Sequence, residues 1–167
     1  IIFAEYTRYA TMFNTQQTSL DLTIELFNEL TQFVNKLNPE IKSKIKFRAK
    51  YAGDKLHRPY NCEKKFSEMF GEKCIDRISL DNTFKKTILN SKLIIVAYPH
   101  TAFSEAMYSN IPTILIIKTN DLQLSNEALN IFKVLKKNKI SFEDFDEAKT
   151  HINKHWNELD SWWKCEN

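Results

Sequence analysis

Near the middle of the chain, the stretch "AYPHTAFSEAMY" puts His100 and Thr101 at a polar corner, Tyr98 just before it, and Ser104 and Glu105 one helical turn further on. An imidazole, hydroxyls and a carboxylate at this spacing suit a ligand that carries both an anionic oxygen and neutral hydroxyl groups. If a helix begins at His100 or Thr101, its first backbone N–H groups have no partner within the helix, and together with the helix dipole they favour phosphate. The Thr101 hydroxyl can donate to the same oxygen. Thr101, Ser104, Glu105 and Tyr108 then share one face by their i, i+3 and i+4 spacing, which leaves Phe103, Ala106 and Met107 for a core. A carboxylate on the open face accepts hydrogen bonds from ribose or sugar hydroxyls. A purely structural reading stands beside this one: Thr101 as a helix cap, Glu105 as a solvated or ion-paired side chain, and His100 as a lone imidazole without a second metal-type ligand nearby.

Two arginines offer positive charge to the same kind of ligand. Arg48, followed by Lys50 in "FRAKYAGD", precedes the carboxyl end of a strand pattern, where it either points to a phosphate or keeps an edge strand from pairing with another molecule. Arg8 in "EYTRY", with Tyr6 and Thr7, stands at the corresponding end of the first strand pattern. His151 and His155 lie one turn apart with Glu158 following, a spacing a metal can use, but a solvated helix face accounts for it and no metal site is expected. Cys62, Cys74 and Cys165 are odd in number and lack Cys-x-x-Cys spacing, so reduced thiols are expected, and with them a cytoplasmic setting.

The elements that must position these side chains are legible from hydrophobic periodicity. "IIFAEY" at residues 1 to 6 reads as a strand, and apolar residues at 20, 24, 27, 30, 34 and 37 predict a helix from Thr18 to Leu37, stopped by Asn38-Pro39. "KIKFRAKYAG" alternates as a strand with one strongly basic face. A short helix is expected from Lys64 to Phe70, closed by Gly71, then a short apolar run "CIDRIS" and a helix from Asp81 to Asn90. "KLIIVAY" and "PTILII" are uninterrupted apolar strands, as found where both sheet faces are covered, and they flank the short helix after the corner. Residues 123 to 138 and 144 to 159 read as two amphipathic helices, the second with Phe145, Ala148, Ile152, Trp156 and Leu159 in one stripe.

Strands that alternate with helices, the most apolar strands in the middle, predict an α/β fold: a Rossmann-like open parallel sheet with helices on both faces. In such a sheet ligands bind beyond the carboxyl ends of the strands, where Tyr98 to Thr101 fall. The 167 residues suffice for one domain, spanning 1 to 167. A chain that opens on Ile1 within a strand pattern is expected to be a piece of a longer polypeptide. The 24 basic and 21 acidic residues are scattered, which argues against a nucleic-acid partner, and no apolar run is long enough for a membrane span. With 2 glycines there is no Gly-x-Gly-x-x-Gly loop, which argues against an ordinary dinucleotide-binding enzyme.

The segment from Ser91 to Ile117, strand, Ser/Thr-bearing corner, glutamate-bearing helix and Pro-led second strand, resembles the C-terminal half of GT-B glycosyltransferases and related polysaccharide transferases. More closely, the series "YTRY", "KFRAKYAGD", "SKLIIVAYPHTAFSEAMYSNIPTILI", "FKVLKKNKISFEDFDEA" and "HWNELDSWW" is similar to a bacterial family of transferases tied to surface-polysaccharide synthesis. The resemblance implies a nucleotide-sugar partner, with Thr101 and Glu105 in the donor-binding positions and Arg48 as a supporting anion contact. It further implies a missing N-terminal domain of the same chain that carries the acceptor site and the catalytic base, so the domain alone binds without turnover. No aspartate pair marks a metal requirement, and no cofactor is implied. Where relatives have glycine before the second strand this chain has Asn110, which can also take the left-handed conformation. The other readings are a sugar-nucleotide epimerase or polyol-phosphate transferase on the same architecture, and a noncatalytic assembly domain in which Trp162 and Trp163 mark an interface.

Overall fold

Successive side chains of a strand point to opposite faces of its sheet, so an apolar run without polar breaks needs cover on both sides. The computed structural model, which describes residues 2–4, 20–49, 61–77, 83–97, 101–117 and 124–164, meets that need with helices above and below. Five strands, β1 (Ile2–Ala4), β2 (Phe47–Ala49), β3 (Ile94–Val96), β4 (Thr113–Ile116) and β5 (Ser141–Phe142), form one sheet in the order β2-β1-β3-β4-β5. Every pairing is parallel. Leu93, Ile95, Ile114 and Ile116 face one core, while Ile94, Val96, Leu115 and Ile117 face another. The expected Rossmann-like open parallel sheet with helices on both faces is therefore the fold of this chain.

The first core is covered by α1 (Leu20–Lys36), α2 (Pro39–Ser43), α3 (Cys62–Phe70) and α7 (Phe145–His155). α1 buries Phe27, Leu30, Phe33 and Val34 in the stripe its 3.6-residue period predicts, and Phe33 meets Phe145 edge-on at 5.6 Å. Pro39 does not merely end α1, because it also occupies the first turn of α2, where its missing N–H leaves no gap. Phe47 of β2 stacks on Phe66 of α3 at 4.4 Å, a contact that contributes about 0.5–1.5 kcal/mol beyond the apolar area it covers. α3 is capped by Asn61, whose side chain accepts from the Lys64 N–H at 3.0 Å, and it ends at Gly71 with a φ of 90°.

The second core is covered by α4 (Phe84–Leu89), α5 (Thr101–Tyr108) and α6 (Asn126–Lys137). Thr83 and Ser125 cap α4 and α6 by accepting from the Lys86 and Ala128 N–H groups.

Four expectations need adjustment. β5, two residues between α6 and α7, was not foreseen, since Ser141-Phe142 is too short to show a period; its pairing to β4 alone makes it a strand. The apolar run at "CIDRIS" supplies an isolated bridge from Ile75 to Phe47, which covers the open edge of β2. The basic face of β2 is not uniformly exposed: Lys46 is in water and Arg48 is buried. Residues 144 to 159 do not form one helix, for a 3-10 turn at Trp156–Glu158 separates α7 from α8 (Leu159–Trp163) while Trp156 and Leu159 stay buried.

The tight turn sends α8 past the ends of two other helices. Trp162 donates its indole N–H to the Asn138 carbonyl at 3.3 Å, and Trp163 donates to the Asn110 side-chain oxygen at 2.8 Å. Asn110 and Asn138 follow α5 and α6 and lead into β4 and β5, so both tryptophans lie at the amino edge of the sheet.

Candidate functional site

The strand order reverses between β1 and β3. These neighbours lie in register, Ile2 beside Ile95 and Phe3 beside Val96, so the chain leaves both strands at the same level. From β1 it proceeds to α1 on one face, and from β3 to α5 on the other. Divergence of this kind opens a crevice at the carboxyl edge, the usual ligand site of open α/β sheets. Arg8, Tyr98 and His100 lie outside the described residues.

Thr101 is the first residue of α5 and is exposed, as are Ser104 and Glu105. Tyr108 is 94% exposed, whereas Ala102 and Ala106 are buried and Phe103 packs against the second core. The four polar side chains thus share the outer face of α5, as their spacing predicts. Small residues on the inner face let the helix lie close to β3 and β4. The first N–H groups of α5 have no acceptor within the helix, so its amino end carries partial positive charge beside the carboxyl end of β3.

The far end of α5 is fixed by a Schellman motif. The Ile111 N–H donates to the Ala106 carbonyl at 3.2 Å and the Asn110 N–H to that of Met107 at 3.0 Å, with Asn110 at a φ of 54°. Asn110 therefore does take the left-handed conformation. The Ile111 side chain packs against the second core, and the Trp163 indole holds the Asn110 amide.

Arg48, the central residue of β2, sits beside Phe3 and is 3% exposed. Its Nη1 donates to Asp76 Oδ2 at 2.6 Å and also to Thr87 Oγ1, and its guanidinium lies 5.9 Å from the centre of the Phe84 ring. Thr87 in turn donates to the same Asp76 oxygen at 3.0 Å. A buried guanidinium requires such partners, because an uncompensated charge in a core is strongly unfavourable. Asp76 and Thr87 escaped sequence reasoning: they stand 28 and 39 positions from Arg48, and no local period connects them.

His151 and His155 do meet, their ring centres 4.6 Å apart on α7. His151 also touches Phe142 at 5.4 Å and the edge of Trp162 at 4.8 Å, and its Nε2 is buried without a hydrogen-bond partner. Burial pushes its pKa down to about 4, and the nearby charges of His155, Lys139 and Lys154 act in the same direction. Among the described residues no group of three His, Cys, Asp or Glu side chains is placed to hold a metal ion. A hollow between α1 and the start of α7 is lined by Glu29, Lys36, Asp144 and Asp146, among others. Its charges serve the fold: Lys36 pairs with Asp146 at 3.0 Å, and Asp144 caps α7. Among the described residues no helix is long and apolar enough to cross a membrane.

No curated protein and no solved structure matches the chain. A protein-family model described as LIC12162 family transferase matches residues 1–167.

Proposed function

The chain belongs to the LIC12162 family of transferases, and from that premise we propose that it forms the donor-binding domain of a glycosyltransferase-like enzyme of bacterial cell-surface polysaccharide synthesis. The observation that carries the reading is the amino end of α5, set beside the reversal of strand order with exposed Thr101 and Glu105 on one helix face. The diphosphate of a nucleotide sugar meets the free N–H groups of α5 and the Thr101 hydroxyl. Glu105 accepts from hydroxyls of the ribose or the sugar, and Ser104 adds a donor on the same face. Arg8, Tyr98 and His100, outside the described residues, are assigned to the same ligand, Arg8 for its positive charge.

In this reading the intact protein works in the cytoplasm and moves a sugar from the nucleotide diphosphate to an acceptor. As the bond to the sugar breaks, negative charge grows on the departing diphosphate, and fixed N–H dipoles stabilise it without having to reorient. The acceptor site and catalytic base belong to a further domain of the same protein. Arg48, assigned to the anion by resemblance, already meets a carboxylate of its own chain and acts on the site through the strand that carries it.

Calorimetric titration with UDP, GDP, CDP and CMP tests the proposal. One nucleotide diphosphate is expected to bind saturably, and Thr101→Ala and Glu105→Ala are each expected to weaken it about tenfold or more, the equivalent of one hydrogen bond to a charged group. Unchanged affinity in both folded variants would refute the assignment of this corner.

A further inference from the structure

Helix α6 presents an outer face that the fold does not use. None of its residues is fully buried; Phe132 packs against the second core, yet Ile131 is 61% exposed, Val134 58% and Leu129 39%. Ile131 and Val134 are i and i+3 neighbours and share one outward stripe. Lys133 and Lys137, an i, i+4 pair, run beside that stripe and are exposed, and Lys136 follows in the last turn. Against these three lysines α6 carries one acid, Glu127, in its first turn; Lys136 also reaches Glu143 at 3.3 Å.

Aliphatic side chains that protrude into water beside lysines have the composition of a helix that lies on an anionic lipid surface, with its axis in the membrane plane. We propose that the outer face of α6 docks this protein on a negatively charged bilayer, Ile131 and Val134 entering the headgroup layer and Lys133 and Lys137 meeting acidic lipid headgroups. Charge argues against a second copy as the occupant, because a symmetric contact through this face would set the same lysines against each other. The proposal does not depend on the donor site: α6 acts from its outer surface, whatever the crevice binds.

The test is sedimentation of the full-length protein with phosphatidylcholine vesicles, with and without phosphatidylglycerol. Binding is expected only where phosphatidylglycerol is present, and it should weaken as salt is raised. Lys133→Gln/Lys137→Gln should reduce the partition coefficient roughly 25-fold, about fivefold for each lysine. Ile131→Ser/Val134→Ser should reduce it several-fold at unchanged salt dependence. All four positions are exposed, so both variants should keep the parent circular dichroism spectrum and melting temperature. Absence of binding, equal binding to the two vesicle types, or full binding by both variants would overturn the proposal. So would a dimer in sedimentation velocity that Ile131→Ser/Val134→Ser dissociates, which would assign the face to a second copy.

Discussion

Arg48→Met keeps a long apolar side chain on β2 and removes only the charged head that donates to Asp76 Oδ2 at 2.6 Å. Arg48 and Asp76 side chains are 2% and 15% exposed, so little water can replace the lost contact. Removing one partner of a buried ion pair costs about 3–5 kcal/mol, and the slight exposure of Asp76 places this case near 3 kcal/mol. For a chain of this size 1 kcal/mol corresponds to roughly 2–4 °C, so melting should fall by about 6–12 °C. Arg48→Met/Asp76→Leu removes both charges and should recover most of that loss, keeping a residual penalty of about 1 kcal/mol for the Thr87 hydroxyl. Thermal and urea unfolding followed by circular dichroism measure both variants. If the double variant melts as low as the single one, the loss comes from packing and the reasoning about uncompensated charge is refuted. If the parent binds a nucleotide diphosphate as proposed, the double variant should bind it equally well; a folded double variant that fails to do so would return Arg48 to the role of anion contact.

Acid should destabilise the fold through His151. Its pKa of about 4 lies below the 6.5 of an ordinary imidazole, so the unfolded chain takes up the proton first. The stability that neutral His151 provides is complete above about pH 6.5 and is lost as pH falls towards 4. After allowance for solvent screening of a half-buried group the effect is roughly 1–2 kcal/mol. Unfolding free energies from urea titrations at pH 7 and pH 5 should differ by that amount in the parent and much less in His151→Leu; an equal difference in both would exclude His151 as the cause. At Asn110, alanine loses both the left-handed preference and the Trp163 hydrogen bond and should cost about 1–3 kcal/mol, whereas glycine keeps the backbone and should cost about 1 kcal/mol at most. Equal melting of the two variants would show that backbone strain is not what Asn110 relieves.

What could be read in the sequence was what repeats within one element. The runs at Ile94 and Ile114 declare burial on both faces, and the 3.6-residue stripe of α1 declares its core face, because period and burial have the same cause. The polar face of α5 was legible for the same reason. What stayed hidden depends on partners far along the chain. Alternation placed Arg48 opposite Phe47, but it could not reveal that α4 covers that face and supplies Thr87, or that the segment at Asp76 brings a carboxylate. β5 has no period in two residues, and Ser141 is buried only because β4 and the helices enclose it. In α7 and α8 the single stripe is real, yet a 3-10 turn interrupts the helix while Trp156 and Leu159 stay buried, an interruption that hydrophobic spacing does not encode.

The candidate site depends on that hidden part. α5 has eight residues and is therefore only ~12 Å long, so its two ends cannot be positioned independently. Thr101 stands at the end that follows β3; Asn110, just past the other end, is fixed by the Schellman hydrogen bonds and by the indole of Trp163 on α8. Between the two, Ala102 and Ala106 seat the helix on the sheet with no long side chain to act as a spacer. The direction in which the first N–H groups of α5 point is thus set partly from the opposite edge of the sheet, by Trp162 and Trp163. Trp162 belongs to the same support, through Asn138 and through its edge contact with His151. In the proposed donor site, residues at the amino edge would therefore act on binding through geometry, whereas Thr101 and Glu105 would act through contact.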